Sequence, residues 1–121
     1  MRLLIDHKVN PANDLLEVKA VDEPGQGGAN HRYEIALPNN GPIYGLDFQN
    51  GPIGVDGNGV NGVTHEVLLA IVADRLRCFQ DGAYRCKANA CALTHIEEAM
   101  HWLQQRTLER MRRGVEGTHT V

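Results

Sequence analysis

The chain has 121 residues, of which 42% are hydrophobic and 22% charged, and its formal net charge is −3. This length allows one domain with a modest core, and the slight acidic excess argues against nonspecific binding to a nucleic-acid polymer. No apolar run approaches the ~20 residues of a membrane span, and an odd number of cysteines, three, is typical of reduced thiols in a cytosolic protein. We therefore expect a globular protein that acts in a cytoplasm without a membrane partner.

The first 50 residues predict a small antiparallel sheet. Apolar and polar residues alternate in three segments, which are 15–21, 31–37 and 43–49. Residues 1–5 are a shorter candidate strand, and residues 10–14 are rich in turn formers. Three strands or more, joined by short connections, favour a meander that packs one face against the helices that follow.

A glycine-rich linker at 51–63 leads into a predicted helical hairpin. Thr64 is a suitable N-cap for the first helix, and Asp81 with Gly82 ends it. The apolar residues of this helix recur at helical spacing, and they are Leu68, Val72, Leu76 and Phe79.

The second helix is predicted to begin between Ala83 and Lys87 and to end at Gly114. One face carries a stripe that is apolar in the middle and polar at both ends: Asn89, Leu93, Ile96, Met100, Leu103, Thr107 and Arg110. A helix from Arg85 to Arg113 would be roughly 43 Å long, which is too long for a chain of this size to cover alone. We therefore expect a partner chain along it.

The expected fold class is α+β, with a small antiparallel β-sheet packed on a two-helix hairpin whose C-terminal helix is long. The expected organisation is a single domain, in which a β-sheet lobe (1–50), the linker (51–63), the hairpin (64–114) and a tail (115–121) follow in order.

Two pairs of residues are candidates for ligand binding. Arg106 and Arg110 lie one helical turn apart, and their guanidinium groups suit a phosphate; the alternative is a solvated basic helix end. Phe79 and Asn89 flank the turn between the helices, where a ring can stack on a base and an amide can bond to its edge. The alternative is a core phenylalanine and an asparagine that caps or ends the helix.

Geometry separates these two pairs within one chain. Asn89 and Arg106 are 17 residues apart, or roughly 25 Å along one helix. An antiparallel pairing with a second chain would bring Phe79 and Asn89 of one protomer beside Arg106 and Arg110 of the other. A two-fold dimer would then hold two identical pockets that suit a small nucleotide.

Other motifs give weaker signals. Residues 57–62 form a G-x-G-x-x-G before a helix, which indicates either a flexible, turn-forming linker or a loop that contacts an anion. A Rossmann unit is excluded, because it needs a second parallel strand after that helix and a second helix is predicted there instead. Cys91, His95 and Glu98 share a helical face, yet a fourth metal ligand is missing, so we expect no metal and no cofactor. The chain has no serine, and its three cysteines lie in predicted helices that we expect to be half-buried, whereas a cysteine nucleophile needs an exposed setting, so we expect no catalytic residues.

Taken together, four segments resemble the phage Thoeris anti-defence proteins of the first type. They are Asn61 to Thr64, Phe79 to Gly82, Asn89 to Thr94, and the tail from Trp102 to His119, within a resemblance that covers about residues 43–117. The resemblance implies a small sheet against two long helices that dimerise, with further assembly to hexamers. It also implies a non-enzymatic sponge in the host-cell cytoplasm, which sequesters glycocyclic ADP-ribose without cleaving it and, in some members, binds cyclic trinucleotides.

The resemblance implies roles for particular residues as well. Phe79, Asn89, Arg106 and Arg110 match the ligand-contacting pattern of the family. A second nucleotide site is assigned to Asn61, Gly62 and Thr64. Two alternatives stay open: an enzyme that degrades the nucleotide signal, sensitive to mutation of His95 or His101, and an interaction module that uses the basic helix end.

Overall fold

The structure, a computed structural model, describes residues 1–54, 57 and 59–114, apart from the Gln26 side chain. It comprises two compact units, one spanning Met1–Val63 and another that begins at Thr64. The predicted tail at 115–121 lies outside the described residues. The single-domain organisation stays a prediction.

The first unit contains a four-stranded antiparallel sheet in the order β1-β2-β3-β4. Its strands are β1 (Arg2–Leu4), β2 (Glu17–Ala20), β3 (Arg32–Ala36) and β4 (Ile43–Asp47). The α+β class is therefore confirmed. The short candidate strand at residues 1–5 is β1, which adds a fourth strand to the three alternating segments.

A short helix, α1 (Pro11–Asp14), occupies a segment for which the sequence predicted a turn. The Asn10 side chain accepts a hydrogen bond from the Asn13 backbone N–H at 2.8 Å, which caps the helix. Pro11 stands at the first helical position, where its fixed φ suits the helix and its missing N–H costs nothing. The turn-forming residues therefore start one turn of helix.

The strand register confirms the predicted alternation. Val18 pairs with Ile35, and Ala20 pairs with Tyr33, so these side chains share one face of the sheet. On the opposite face, one guanidinium nitrogen of Arg32 donates to both carboxylate oxygens of Asp47, at 2.9 and 2.8 Å.

The segment after β4 closes back on the strand. Phe48 and Val63 form a parallel bridge, in which the Val63 N–H donates to the Asp47 carbonyl at 2.8 Å and the Gln49 N–H to the Val63 carbonyl at 2.9 Å. The Gln49 side-chain amide donates to the carbonyls of Gly51 and Gly59, at 3.1 and 2.8 Å. The ends of the linker are therefore tied to each other and to β4.

The second unit contains the predicted helical hairpin. Helix α2 (His65–Asp81) has 17 residues and α3 (Lys87–Arg113) has 27, so α3 is roughly 40 Å long. Gly114 ends α3 with a φ of 72°, a left-handed conformation that glycine adopts at little cost. Arg77 of α2 and Glu97 of α3 form an ion pair at 3.0 Å. No helix within the described ranges combines the length and hydropathy that crossing a membrane requires.

The buried face of α3 is the predicted one, whereas that of α2 is not. Each residue of the α3 stripe is half-buried or buried, and the residues between them are exposed. In α2, Val72 and Phe79 of the predicted stripe are 43% and 38% exposed, and Ala73 is fully buried instead. The less exposed face of α2 is formed by Leu69, Ala73, Leu76 and Gln80, together with Leu68. Leu68 and Leu76 of the predicted stripe are thus less exposed, whereas Val72 and Phe79 are not, because α2 carries apolar residues on two faces and periodicity does not decide which face packs.

A loop between β2 and β3 is organised by Asp22. Its carboxylate accepts hydrogen bonds from the backbone N–H groups of His31, at 3.0 Å, and Arg32, at 3.2 Å. The Asn30 side chain donates to the Asp22 carbonyl at 2.6 Å and accepts from Arg2 of β1 at 2.7 Å. The bond from His31 is the largest cause that lowers the pKa of the Asp22 carboxyl below its ordinary 3.8.

We predict that Asp22→Asn lowers the melting temperature at neutral pH and has less effect in acid. The folded-state pKa is lowered, so the ionised carboxylate stabilises the fold above its ordinary pKa, and this contribution is lost as the pH falls through the lowered value. Thermal unfolding followed by circular dichroism between pH 7 and pH 2 measures the difference. Asp6→Asn, at an exposed turn position, is the matched control and should retain the pH profile of the wild type. A constant difference between Asp22→Asn and the wild type across this range would contradict the assignment.

Candidate functional site

The turn between α2 and α3 is held by side chains at both of its ends. The Gln80 side-chain oxygen accepts a hydrogen bond from the Cys86 N–H at 3.0 Å, and the Gly82 N–H donates to the Phe79 carbonyl at 3.2 Å. Cys86 is the N-cap of α3, since its sulfur accepts from the Asn89 N–H at 3.4 Å. These bonds place Phe79 and Asn89 at the two ends of one ordered turn.

Phe79 lies near the end of α2 with its ring partly open to solvent, 38% exposed. The ring meets Tyr84 of the turn in a steeply inclined contact, with centroids 6.3 Å apart and planes at 69°. The guanidinium carbon of Arg75 lies over the ring, 5.5 Å from its centroid. The predicted stacking residue is thus exposed enough to meet a ligand and is in contact with two neighbours.

Asn89 is half-buried in the first turn of α3. Its backbone N–H is used by the cap, and its side chain stands near the positive end of the helix dipole. An amide at this place can donate to and accept from a polar ligand. The alternative from the sequence, that Asn89 is itself the cap, is wrong because Cys86 has that role.

The two candidate arginines lie in the last turns of α3, and their exposure differs. Arg106 is exposed, whereas Arg110 is 5% exposed and is the buried charged residue among the described positions. Glu109 pairs with Arg113 at 3.7 Å, on the helix end that Arg112 also shares. The buried Arg110 therefore has exposed cationic neighbours on the same helix end, which are Arg106, Arg112 and Arg113. Of the two candidate guanidinium groups, that of Arg110 is the more desolvated.

Helix α3 is continuous between the two candidate pairs. Asn89 and Arg106 belong to the same unbroken helix, so their backbones are separated by roughly 25 Å, as the sequence predicted. One small molecule cannot contact both within one chain. The ring-and-amide end and the arginine end are therefore separate within one chain, and a shared pocket stays a prediction.

One flank of α3 is exposed and carries three alanines together with larger side chains, among them His95. Ala88, Ala92 and Ala99 share it with Arg106, and all four are exposed. Sequence reasoning concentrated on the adjacent apolar stripe and missed this flank, although the spacing of the alanines was a visible signal. Small residues on a helix surface allow the backbone of another helix to approach closely.

The residues assigned to a second nucleotide site take part in the structure of the linker and of α2. The Asn61 side chain accepts from the Asn50 N–H and donates to the Asn50 carbonyl, both at 2.8 Å. A side chain at Gly62 would clash with the backbone of Asp47 and Phe48, so close approach requires glycine there. Thr64 caps α2, accepting from the Val67 N–H at 3.3 Å. Asn58, within the G-x-G-x-x-G motif, lies outside the described residues, and the second site stays a prediction.

Metal ligation has little support in the geometry. His95 Nδ1 lies 4.0 Å from the nearest carboxylate oxygen of Glu98. Within residues 1–54, 57 and 59–114, no three histidine, cysteine, aspartate or glutamate side chains are close enough to hold a metal ion. Cys78, Cys86 and Cys91 are exposed free thiols, whereas the sequence suggested half-buried positions.

Comparisons with known proteins identify relatives of the helical hairpin. Residues 46–108 match the family described as Acb2/Tad1, hairpin domain, a segment that includes Phe79, Asn89 and Arg106 and ends before Arg110. A relative from Bacillus phage SBSphiJ7, Thoeris anti-defense 1, is 45% identical over 95 residues, which are 78% of this chain and 65% of the relative. The chain thus spans just under two thirds of the length of that relative.

We predict that Cys86→Ser keeps or raises the melting temperature, whereas Cys86→Ala lowers the free energy of unfolding by about 1 kcal/mol. A hydroxyl is a better acceptor than a thiol for the Asn89 N–H, and alanine has no acceptor. Chemical denaturation of the two variants measures the difference. Cys91→Ala, an exposed cysteine further along α3, is the control. Equal stability of Cys86→Ala and Cys86→Ser would contradict the capping role.

Proposed function

Because this chain belongs to the Acb2/Tad1 hairpin-domain family, we propose that it is a phage anti-defence protein. It acts in the host-cell cytoplasm, where it binds cyclic ADP-ribose-type signalling nucleotides and keeps them from an immune effector. Glycocyclic ADP-ribose is the proposed ligand, and the protein sequesters it without cleaving it. The observation that carries the proposal is the unbroken α3, which carries the Asn89 amide at the end next to the turn, where Phe79 lies near the end of α2, and two arginines at its other end.

The four candidate residues suit the parts of such a nucleotide. The exposed ring of Phe79 offers a face on which adenine stacks, and the Asn89 amide bonds to the base or ribose. Arg106 and Arg110 neutralise the pyrophosphate through charge-assisted hydrogen bonds. None of these side chains is a nucleophile or a general base at neutral pH. Phenylalanine has no ionisable group, the asparagine amide is neutral, and a guanidinium group stays protonated. The pocket therefore favours binding over cleavage.

A second copy of the chain completes each pocket. Two α3 helices that pair antiparallel bring the ring-and-amide end of one protomer to the arginine end of the other. The exposed alanines beside Arg106 let the two backbones approach closely. Exclusion of water from this interface strengthens the contacts between the arginines and phosphate. Hexamers made of three such dimers, and binding of cyclic trinucleotides, belong to the proposal through the family resemblance. The place of the second site, at Asn61, Gly62 and Thr64, rests instead on the ability of loops before a helix to bind anions.

We predict that Arg106→Ala weakens binding of glycocyclic ADP-ribose roughly 10- to 100-fold, because a charge-assisted bond to phosphate is lost. The purified protein is incubated with the nucleotide and removed by filtration. The ligand left in the filtrate is assayed, and the retained protein is then heat-denatured. Depletion of the filtrate by the wild type, followed by recovery of intact nucleotide, is the expected result. Arg112→Ala, an exposed arginine on the same helix end, is the matched control.

Other outcomes separate the alternatives. A new product in the filtrate would identify an enzyme, and the His95 and His101 variants would then be assayed. Retention of nucleic acid, lost steeply as salt rises and insensitive to Phe79→Ala, would identify an interaction module that uses the basic helix end.

We predict that two variants with weakened binding, Phe79→Ala and Arg106→Ala, recover one pocket of wild-type affinity when they form a mixed dimer. A dimer of Phe79→Ala with Arg106→Ala carries one pocket with both substitutions and one pocket with neither, because each pocket takes its ring and its arginines from different chains. Two affinity tags isolate the mixed dimer after co-expression, and calorimetry counts its sites. One ligand per mixed dimer at wild-type affinity is expected. The tagged homodimer of each variant is the control, and a mixed dimer without ligand would contradict the shared pocket.

A further inference from the structure

Two residues that belong to no sequence motif, Tyr84 and Arg75, contact the Phe79 ring. Tyr84 comes from the turn and is 77% exposed, and it contacts the ring with centroids 6.3 Å apart at 69°. Arg75 is one helical turn before Phe79, and its guanidinium carbon is 5.5 Å from the ring centroid. Inclined aromatic pairs and cation–π contacts are both favourable in this range of distances.

These contacts limit where the ring can point. Phe79 lies two residues before the end of α2, where its backbone carbonyl already accepts from the Gly82 N–H. Without neighbours, an exposed phenylalanine at a helix end can occupy more than one rotamer. Tyr84 packs against one side of the ring, and the Arg75 guanidinium lies over a face. A flat base that stacks on Phe79 therefore has to use the face that Arg75 leaves open.

We propose that Tyr84 and Arg75 are positioning residues, which orient the Phe79 ring before a nucleobase stacks on it. This inference rests on the proposed function, since it concerns the same nucleotide pocket. Tyr84 acts through its ring and Arg75 through its charge. If these contacts restrict the ring in the free protein, as the proposal requires, binding does not bear the entropy cost of immobilising it. Loss of the restriction should then weaken binding about fivefold.

The test combines an affinity with a signal that does not depend on the ligand. The chain has two phenylalanines, so selective labelling with ¹³C-phenylalanine gives NMR signals from two rings. Phe48 lies in the first unit and contacts Tyr33, so its signals are an internal reference. In Tyr84→Ala, the Phe79 signals should move toward those of a freely rotating ring, and the Phe48 signals should not move.

Titration with glycocyclic ADP-ribose gives the second readout. Tyr84→Ala and Arg75→Met should each bind about fivefold more weakly than the wild type, whereas Tyr84→Phe and Arg75→Lys should stay within about twofold of it. Melting temperatures should remain close to that of the wild type, because both side chains are exposed. Rescue by the conservative variants distinguishes positioning from a general loss of structure.

The outcomes decide the two proposals separately. Wild-type affinity in Tyr84→Ala and Arg75→Met would overturn the positioning role and leave the proposed function intact. A wild type that does not bind the nucleotide would overturn the proposed function. In that case the NMR signals still decide about the ring, because unchanged Phe79 signals in both variants would overturn the positioning role by themselves.

Discussion

The continuity of α3 is the constraint on which the proposed mode of binding depends. Its 27 residues run without a break from the Cys86 cap to the left-handed Gly114. A regular helix fixes the distance between any two of its residues, so Asn89 and Arg106 cannot approach each other. A ligand that needs a stacking ring, an amide and paired arginines must therefore be shared between chains. Oligomerisation follows from helix geometry in this proposal, since a single chain offers only half of each pocket.

The turn between the helices concentrates the ordered polar and aromatic contacts of the second unit. Gln80 ties the end of α2 to the start of α3 through the Cys86 N–H, and Cys86 in turn caps the helix that carries Asn89. Tyr84 lies within this turn and contacts Phe79. The same few residues thus end one helix, begin the next and orient a candidate binding side chain. A change in the turn would affect stability and the ring-and-amide end together.

Several polar side chains of the first unit bond within that unit. Asp22 closes the loop between β2 and β3, and Arg32 with Asp47 joins neighbouring strands. Gln49 and Asn61 use their amides to hold the linker. Side chains that already bond to backbone groups have less capacity left for a ligand. The contrast with the exposed Phe79 and Arg106 places the main site of the proposal in the helical hairpin.

The sequence by itself determined that the strands and the two long helices form and where most of them begin and end, whereas the short α1 was predicted as a turn. Period-two alternation located the strands, and the 3.6-residue spacing identified the buried stripe of α3, because one face of that helix is clearly less polar than the others. Tertiary structure decided the rest. It selected the face of α2 around Ala73, since both faces of that helix are apolar and packing alone distinguishes them. It also placed Arg75 and Tyr84 on Phe79 and used Asn61 inside the linker, because such contacts depend on side-chain positions that spacing along the chain does not specify.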